Sequence, residues 1–207
     1  MLYRKDYISE TTLLAIWKIE ETKDELLALL QSKADLSGIL SIRSESRILE
    51  MLAARILLKE LLGEEKPVSY YPSGKPYFAD DSFHISISHS RKYVAVVLDR
   101  TKHIAVDIEQ ISDKIRKVEK RVISDSEYID PDNELIHLLL HWSAKEAMFK
   151  YIDREGVNFI DHLHVLKFIP QKTGLFKSSE SKTNNNYHFD AYYEANNEYV
   201  LVCLWQA

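Results

Sequence analysis

The sequence predicts an α+β fold with two similar lobes, because each half of the chain combines one long amphipathic helix with several β-prone segments. Residues 44–62 form the helix of the first half, with apolar residues at four-residue spacing. Residues 135–151 form the helix of the second half. We place the boundary in the charged turn at 99–102, which gives one lobe of residues 1–101 and another of residues 102–207.

The other elements follow from apolar alternation and from the positions of turn residues. Strands are predicted over 11–19, 83–88, 93–98, 104–108, 163–169, 187–193 and 199–205. Shorter helices are predicted over 23–33 and 115–122. The proline- and glycine-containing stretch 70–76 predicts a turn, and the polar stretch 177–186 predicts a mobile loop.

The composition excludes several classes of protein. Of the 207 residues, 45% are hydrophobic, which is enough to bury a core and excludes wholesale disorder. The net charge of −5 argues against a nucleic-acid-coating protein, so no nucleic acid partner is expected. The single cysteine, Cys203, excludes an internal disulfide and suits a reducing compartment. The five glycines are too widely separated for a dinucleotide fingerprint or a phosphate-binding loop.

The expected setting is cytoplasmic, with no membrane contact. No apolar run approaches the roughly 18 residues of a membrane span. The charged residues Arg4, Lys5 and Asp6 are followed by no apolar stretch, so we expect no signal peptide.

Four charged residues form a candidate site for chemistry. Asp107 and Glu109 alternate on a predicted strand and so share one face, while Glu146 and Lys150 lie one helical turn apart. Three carboxylates in one place repel each other unless a cation intervenes, and hard oxygen ligands suit Mg²⁺. Spacing alone leaves an alternative open, in which the strand face is solvated and Glu146 and Lys150 form a surface ion pair.

The histidines favour structural roles. His137 and His141 have the i, i+4 spacing of a zinc protease, but Leu138 stands where that motif needs its glutamate. His162 and His164 have no other ligand type close by in the sequence. We therefore expect all four histidines to be structural.

Three strings in order resemble the 4′-phosphopantetheinyl transferases, in particular their longer, surfactin-synthetase-activating type. They are FHISISHS at 83–90, VDIE at 106–109 and WSAKEAMFK at 142–150. Supporting strings are GKP at 74–76, the helix segment 47–55, and RVIS at 121–124 with Glu127. Together they cover about residues 47–160. Each string alone is weak, and their order and spacing make the match specific.

The resemblance implies a fold, an activity and partners. The fold is a pseudo-dimer of two α+β lobes with the active site in the cleft between them. Such an enzyme, a monomer, moves the phosphopantetheine arm of coenzyme A onto a serine of an apo acyl or peptidyl carrier protein, as in fatty acid biosynthesis. The other product is adenosine 3′,5′-bisphosphate. Two alternatives stay open: a carboxylate–metal phosphohydrolase, and a homologue that binds carrier protein without catalysis.

The resemblance also implies roles for individual residues. Asp107, Glu109 and Glu146 hold Mg²⁺, Glu146 is the candidate base for the serine proton, and Lys150 meets a phosphate oxygen. His89 faces the 3′-phosphate of coenzyme A. The full set of implied coenzyme A contacts is Arg47, Arg55, Lys75, Ser88, His89, Lys145 and Lys150. The family's basic residues within the first forty find only loose counterparts here, Lys23 and Lys33, so no site is assigned to them. The segment 116–121 is a candidate for carrier docking or an ordinary solvated helix face.

Overall fold

Helices and antiparallel sheets are combined along the chain, which confirms the predicted α+β class. The structure is a computed structural model that describes residues 1–31 and 36–207. The chain divides into two compact units, Met1–Thr101 and Lys102–Ala207. No helix among the described residues is both long and apolar enough to cross a bilayer.

The first unit is a four-stranded antiparallel sheet with one long helix packed on it. Its elements are β1 (Leu2–Tyr7), β2 (Thr12–Lys18), α1 (Lys23–Ala28), α2 (Ser37–Leu40), α3 (Glu45–Leu62), β3 (Ser69–Tyr70), β4 (Pro76–Tyr77), β5 (His84–Ser90) and β6 (Tyr93–Asp99). The strand order is β1-β2-β6-β5, while β3 and β4 form a separate hairpin. Helix α3 packs across the central strands β2 and β6.

Local signals explain where α3 begins and ends. The Ser44 hydroxyl caps its first turn, and Gly63 ends it in the left-handed conformation at φ 78°. Leu52 and Ile56 are buried in the core of this unit with Val96 of β6. The apolar stripe of α3 therefore fixes which of its faces turns away from the sheet.

The second unit is a five-stranded antiparallel sheet, also with one long helix packed on it. Its elements are β7 (Ile104–Gln110), α4 (Glu119–Val122), α5 (Glu134–Ile152), α6 (Phe159–His162), β8 (Leu163–Val165), β9 (Thr173–Glu180), β10 (His188–Ala195) and β11 (Tyr199–Gln206). The strand order is β7-β11-β10-β9-β8. Helix α5 packs across β11 and β7.

Three charged or polar segments differ from their predicted secondary structure. Strand β1, which contains Arg4, Lys5 and Asp6, was not predicted. It lies at the edge of the sheet and pairs only with β2, and charged residues are common in such strands, so its sequence lacks the apolar pattern of a central strand. Within the predicted helix 23–33 the structure has α1, Lys23–Ala28. The predicted end at Lys33 lies outside the described residues. The predicted helix 115–122 is a 3₁₀ turn, Asp113–Lys117, followed by the short α4.

The predicted loop 177–186 was wrong at its start, where residues up to Glu180 belong to β9. The Glu180 carboxylate organises the connection that follows, because it accepts hydrogen bonds from the backbone N–H groups of Lys182 at 2.7 Å, Thr183 at 2.8 Å and Tyr187 at 3.0 Å. The strand extends this far because β10 pairs with it across Ser179 and His188. The predicted strand 163–169 is likewise reduced to the three residues of β8.

Two histidines are buried where α5 meets its neighbours. The Asp130 N–H donates to His137 Nδ1 at 2.9 Å, and His141 Nδ1 lies 3.0 Å from the His137 carbonyl oxygen, to which it donates. The ring of Phe168 packs against both imidazoles. Burial lowers the pKa of each imidazole to about 4. These two histidines therefore act as neutral core residues.

The stability of the second unit is expected to fall as the pH drops from about 6.5 towards 4. In this window the unfolded chain protonates its histidines, with ordinary pKa values near 6.5, while buried His137 and His141 stay neutral. Each contributes up to about 1.4 kcal/mol per pH unit. Denaturant unfolding at several pH values measures this slope. His137→Gln is expected to reduce the slope, and His188→Gln, at an exposed position, is expected to leave it unchanged. Equal slopes in all three proteins would contradict the assignment.

Candidate functional site

The two strand carboxylates face the long helix of the second unit. Asp107 lies opposite Val202 and Glu109 lies opposite Val200 in the β7–β11 ladder. Directly opposed residues share a face of the sheet, and these two valines belong to the core that includes α5. Asp107 is buried, with 4% of its surface exposed. Asp107 and Glu109 therefore lie on the same face of β7, as their spacing predicts.

Helix α5 brings a lysine and a third carboxylate to this face. Lys150 Nζ donates to Asp107 Oδ1 at 2.7 Å and to the Val106 carbonyl oxygen at 3.1 Å. Glu146 lies one turn earlier on α5. Burial raises the pKa of Glu146 to about 7, and the charges of Asp107 and Glu109 add to this, while Lys150 opposes it. Lys150 thus reaches across to the strand and pairs with Asp107, while its charge also acts on Glu146.

Glu109 is held by an indole. Trp142 Nε1 donates to Glu109 Oε1 at 2.9 Å. Trp142 lies four residues before Glu146 on α5, so both side chains project from the same face of the helix. The sequence analysis gave Trp142 no role, although its i, i+4 spacing from Glu146 was a signal that could have assigned one.

Lys145 points away from the carboxylates into a buried network. Its ammonium donates to the Val122 carbonyl oxygen at 2.7 Å, to Glu127 Oε2 at 2.7 Å and to the Phe159 carbonyl oxygen at 2.9 Å. The Lys145 side chain has no exposed surface. An ammonium has three donors, and these three bonds use all of them. The role of Lys145 as a coenzyme A contact stays a prediction, and this geometry favours a positioning role.

Glu127 completes the network, and its role was missed by the sequence analysis. Its carboxylate also accepts hydrogen bonds from the Ser124 N–H at 2.8 Å and the Val165 N–H at 2.9 Å. The pair with Lys145 therefore joins α5 to the loop after α4 and to β8. Nothing local in the sequence indicates this partner.

The other predicted coenzyme A residues lie in the first unit. His89 Nδ1 lies 2.9 Å from Glu50 Oε2, and Arg47 reaches the same oxygen at 3.3 Å. Arg55 donates to the Tyr70 hydroxyl at 3.4 Å, and its guanidinium lies 5.7 Å from the Tyr70 ring centroid. Ser88 is buried on β5.

Lys75 lies in the turn between β3 and β4. Gly74 precedes it in the left-handed conformation at φ 88°, and the backbone of Lys75 closes the turn by accepting from the Tyr71 N–H at 3.0 Å. The contact of Lys75 with the nucleotide stays a prediction.

The three carboxylates fit Mg²⁺ by their chemistry. They are hard oxygen donors in a part-buried place. Burial is the main cause of the raised pKa of Glu146, and the charges of Asp107 and Glu109 add a repulsion that a cation would relieve. Within residues 1–31 and 36–207, no three acidic, histidine or cysteine side chains are arranged as a ready metal cage. Lys150 lies against Asp107, so metal binding there requires these side chains to adjust.

A comparison with family models found a match in the second unit. Residues 103–204 match the model of the 4′-phosphopantetheinyl transferase superfamily. Residues 103–204 are therefore a domain of the 4′-phosphopantetheinyl transferase superfamily. The match covers β7 and α5, and therefore Asp107, Glu109, Glu146 and Lys150. A search of curated proteins found no match for the chain. The resemblance is thus confirmed at the level of the superfamily, and membership of the longer type stays a prediction.

Breaking the buried pair of this transferase domain is expected to destabilise it strongly. Lys145→Met leaves the Glu127 carboxylate buried without its cation, which costs about 3–5 kcal/mol in the free energy of unfolding. Urea unfolding followed by fluorescence measures this loss. The control is Lys177→Met, which breaks the exposed pair with Asp190 and is expected to cost about 1 kcal/mol or less. Similar losses in the two variants would contradict the structural role of Lys145.

Proposed function

We propose that the protein transfers the 4′-phosphopantetheine arm of coenzyme A to a serine of an apo acyl or peptidyl carrier protein. The reaction depends on Mg²⁺ and releases adenosine 3′,5′-bisphosphate. The observation that carries the proposal is the placement of Asp107, Glu109, Glu146 and Lys150 together inside the matched transferase domain. The same reading makes the protein a holo-carrier-protein synthase that works in the cytoplasm as a monomer.

The longer, surfactin-synthetase-activating type is the finer part of the proposal. Its support is the resemblance of the strings at 74–76 and 83–90, which lie in the first unit and outside the matched residues 103–204. On this reading the fold is a pseudo-dimer with coenzyme A in its cleft. The coenzyme A contacts of the first unit are Arg47, Arg55, Lys75, Ser88 and His89.

The chemistry is the attack of an alcohol on a phosphorus atom of a pyrophosphate. The protein must hold the two reactants, neutralise the phosphoryl charge and remove one proton. Glu146 is the proposed acceptor of the serine proton, since its carboxylate lies beside the strand carboxylates and is part-buried. Lys150 supplies a positive charge at the same place and is proposed to meet a phosphate oxygen.

Asp107, Glu109 and Glu146 are the residues proposed to hold Mg²⁺. When bound, the ion would offset negative charge on the phosphoryl oxygens and the leaving group. Trp142 holds one oxygen of Glu109 and so restricts the rotation of that carboxylate. Lys150 restricts Asp107 in the same way.

A surface pocket in the second unit supports a carrier protein as the partner. The pocket has a volume of about 610 Å³ and combines the apolar side chains of Trp142, Val157 and Phe159 with the cations Lys120 and Arg121. Carrier proteins are typically acidic, and a pocket lined by both basic and apolar side chains complements such a surface although the net charge of the chain is −5. The pocket includes part of the segment 116–121, the docking candidate of the sequence.

The experiment that tests the function is incubation with coenzyme A, Mg²⁺ and an apo carrier protein, followed by intact mass. A gain of one phosphopantetheine on the carrier supports the proposal. A carboxylate–metal phosphohydrolase would consume coenzyme A and leave the carrier mass unchanged. A non-catalytic binder would change neither, and either result would overturn the proposal.

Asp107→Ala is expected to reduce transfer to background while the protein stays folded, because it removes an oxygen ligand and the partner of Lys150. Wild-type protein is expected to lose activity in excess chelator and to recover it when Mg²⁺ is added back. The measurement is the initial rate of carrier modification, with circular dichroism as the check on folding. Full activity after exhaustive chelation would remove the metal from the proposal.

Glu146→Gln separates the two roles proposed for this residue, because it keeps the size and one oxygen but removes the charge and the proton acceptor. If Glu146 is the base, the single-turnover rate is expected to fall by about two to four decades at any Mg²⁺ concentration. If Glu146 is chiefly a ligand, high Mg²⁺ is expected to restore much of the rate.

Lys150→Ala is the matched variant one turn along α5. It is expected to lose rate without rescue by Mg²⁺, since Lys150 acts on phosphate charge. Near-normal turnover of Glu146→Gln at ordinary Mg²⁺ would remove both roles from Glu146.

A further inference from the structure

One carboxylate of the first unit contacts two side chains that the proposed function places at coenzyme A. Glu50 Oε2 lies 2.9 Å from His89 Nδ1 and 3.3 Å from an Arg47 guanidinium nitrogen. Glu50 and Arg47 lie on adjacent turns of α3, and His89 lies near the end of β5. Glu50 lies within the helix segment 47–55 of the sequence analysis, which gave it no role.

The burial of Glu50 needs an explanation. Its side chain is 12% exposed, whereas those of His89 and Arg47 are 35% and 43% exposed. A carboxylate is costly to bury unless donors satisfy it, and burial raises the pKa of Glu50 although Arg47 opposes the change. Glu50 is therefore the inner member of the cluster, with its two partners outside it.

We infer that Glu50 is a positioning residue that orients His89 and Arg47 towards the 3′-phosphate of coenzyme A. The inference rests on the proposed function, which supplies the ligand. Glu50 itself touches no substrate in this account, because it lies behind the two side chains that do.

The chemistry of the two partners explains how one carboxylate can orient both. An imidazole bound through Nδ1 is fixed in rotation, and its second nitrogen then points in one direction from the opposite edge of the ring. An arginine has five N–H donors in a planar fork, so a guanidinium that gives one donor to Glu50 keeps a geometry suited to a phosphate. Long side chains lose considerable rotamer entropy on binding, and a residue that holds them beforehand reduces that loss.

Charge repulsion alone and the orientation of His89 and Arg47 predict opposite changes in coenzyme A affinity when Glu50 is removed. The direction of that change therefore tests the inference. A carboxylate near a bound phosphate repels it, so removal of Glu50 would strengthen coenzyme A binding if charge alone mattered. If Glu50 orients His89 and Arg47, its removal instead weakens binding, and only for ligands that carry the 3′-phosphate.

The experiment compares coenzyme A with 3′-dephospho-coenzyme A in the complete transfer reaction. For Glu50→Ala, the KM for coenzyme A is expected to rise about tenfold, with kcat and the KM for the dephospho compound within about twofold of wild type. Glu50→Gln, which keeps an acceptor oxygen without the charge, is expected to fall between wild type and Glu50→Ala. In an Arg47→Ala/His89→Ala background, Glu50→Ala is expected to have no further effect on the preference for coenzyme A.

The control is Glu60→Ala, which removes the same charge from an exposed position on α3 and is expected to leave both KM values unchanged. An unchanged or tighter KM for coenzyme A in Glu50→Ala and Glu50→Gln would overturn the inference while transfer by the wild type stands. Equal KM values of the wild type for the two ligands would overturn it as well. Absence of any transfer by the wild type would instead contradict the proposed function.

Discussion

A buried ammonium organises the second unit around its candidate site. Lys145 has no exposed surface, and its three hydrogen bonds end on two backbone carbonyls and on the Glu127 carboxylate. Because Glu127 also binds two backbone N–H groups, the ion pair ties α5 to the loop after α4, to the turn of α6 and to β8. The next residue on α5 is Glu146, so the position of this carboxylate depends on that anchor. An unpaired charge in such a place is costly, which favours a single packing of α5.

The site itself is governed by an excess of negative charge. Asp107, Glu109 and Glu146 outnumber Lys150. Burial is the main cause of the raised pKa of Glu146, and the charges of Asp107 and Glu109 add to it. Trp142 and Lys150 hold two of the carboxylates by direct hydrogen bonds. In the proposed function a divalent cation would offset both this negative charge and that of the coenzyme A phosphates. In the first unit one carboxylate, Glu50, contacts both Arg47 and His89.

The sequence predicted what depends on local periodicity. The strand placement of Asp107 and Glu109 and the helix placement of Glu146 follow from spacings of two and four residues, and both are present in the structure. The bond between Lys150 and Asp107 could not be predicted, because it depends on how α5 packs on β7. The pairing of Glu127 with Lys145 and that of Glu50 with His89 could not be predicted for the same reason, since these partners are distant in sequence. Strand β1 was missed because charged residues at a sheet edge resemble those of a loop.

The central claim is that an acceptor serine, and not water, receives the group released from coenzyme A. The direct measurement counts adenosine 3′,5′-bisphosphate released against phosphopantetheine gained by the carrier. The account predicts a one-to-one ratio with an apo carrier protein and no release with a carrier whose acceptor serine is replaced by alanine. Steady release of phosphate or nucleotide without a competent acceptor would contradict it, because the site would then be that of a hydrolase.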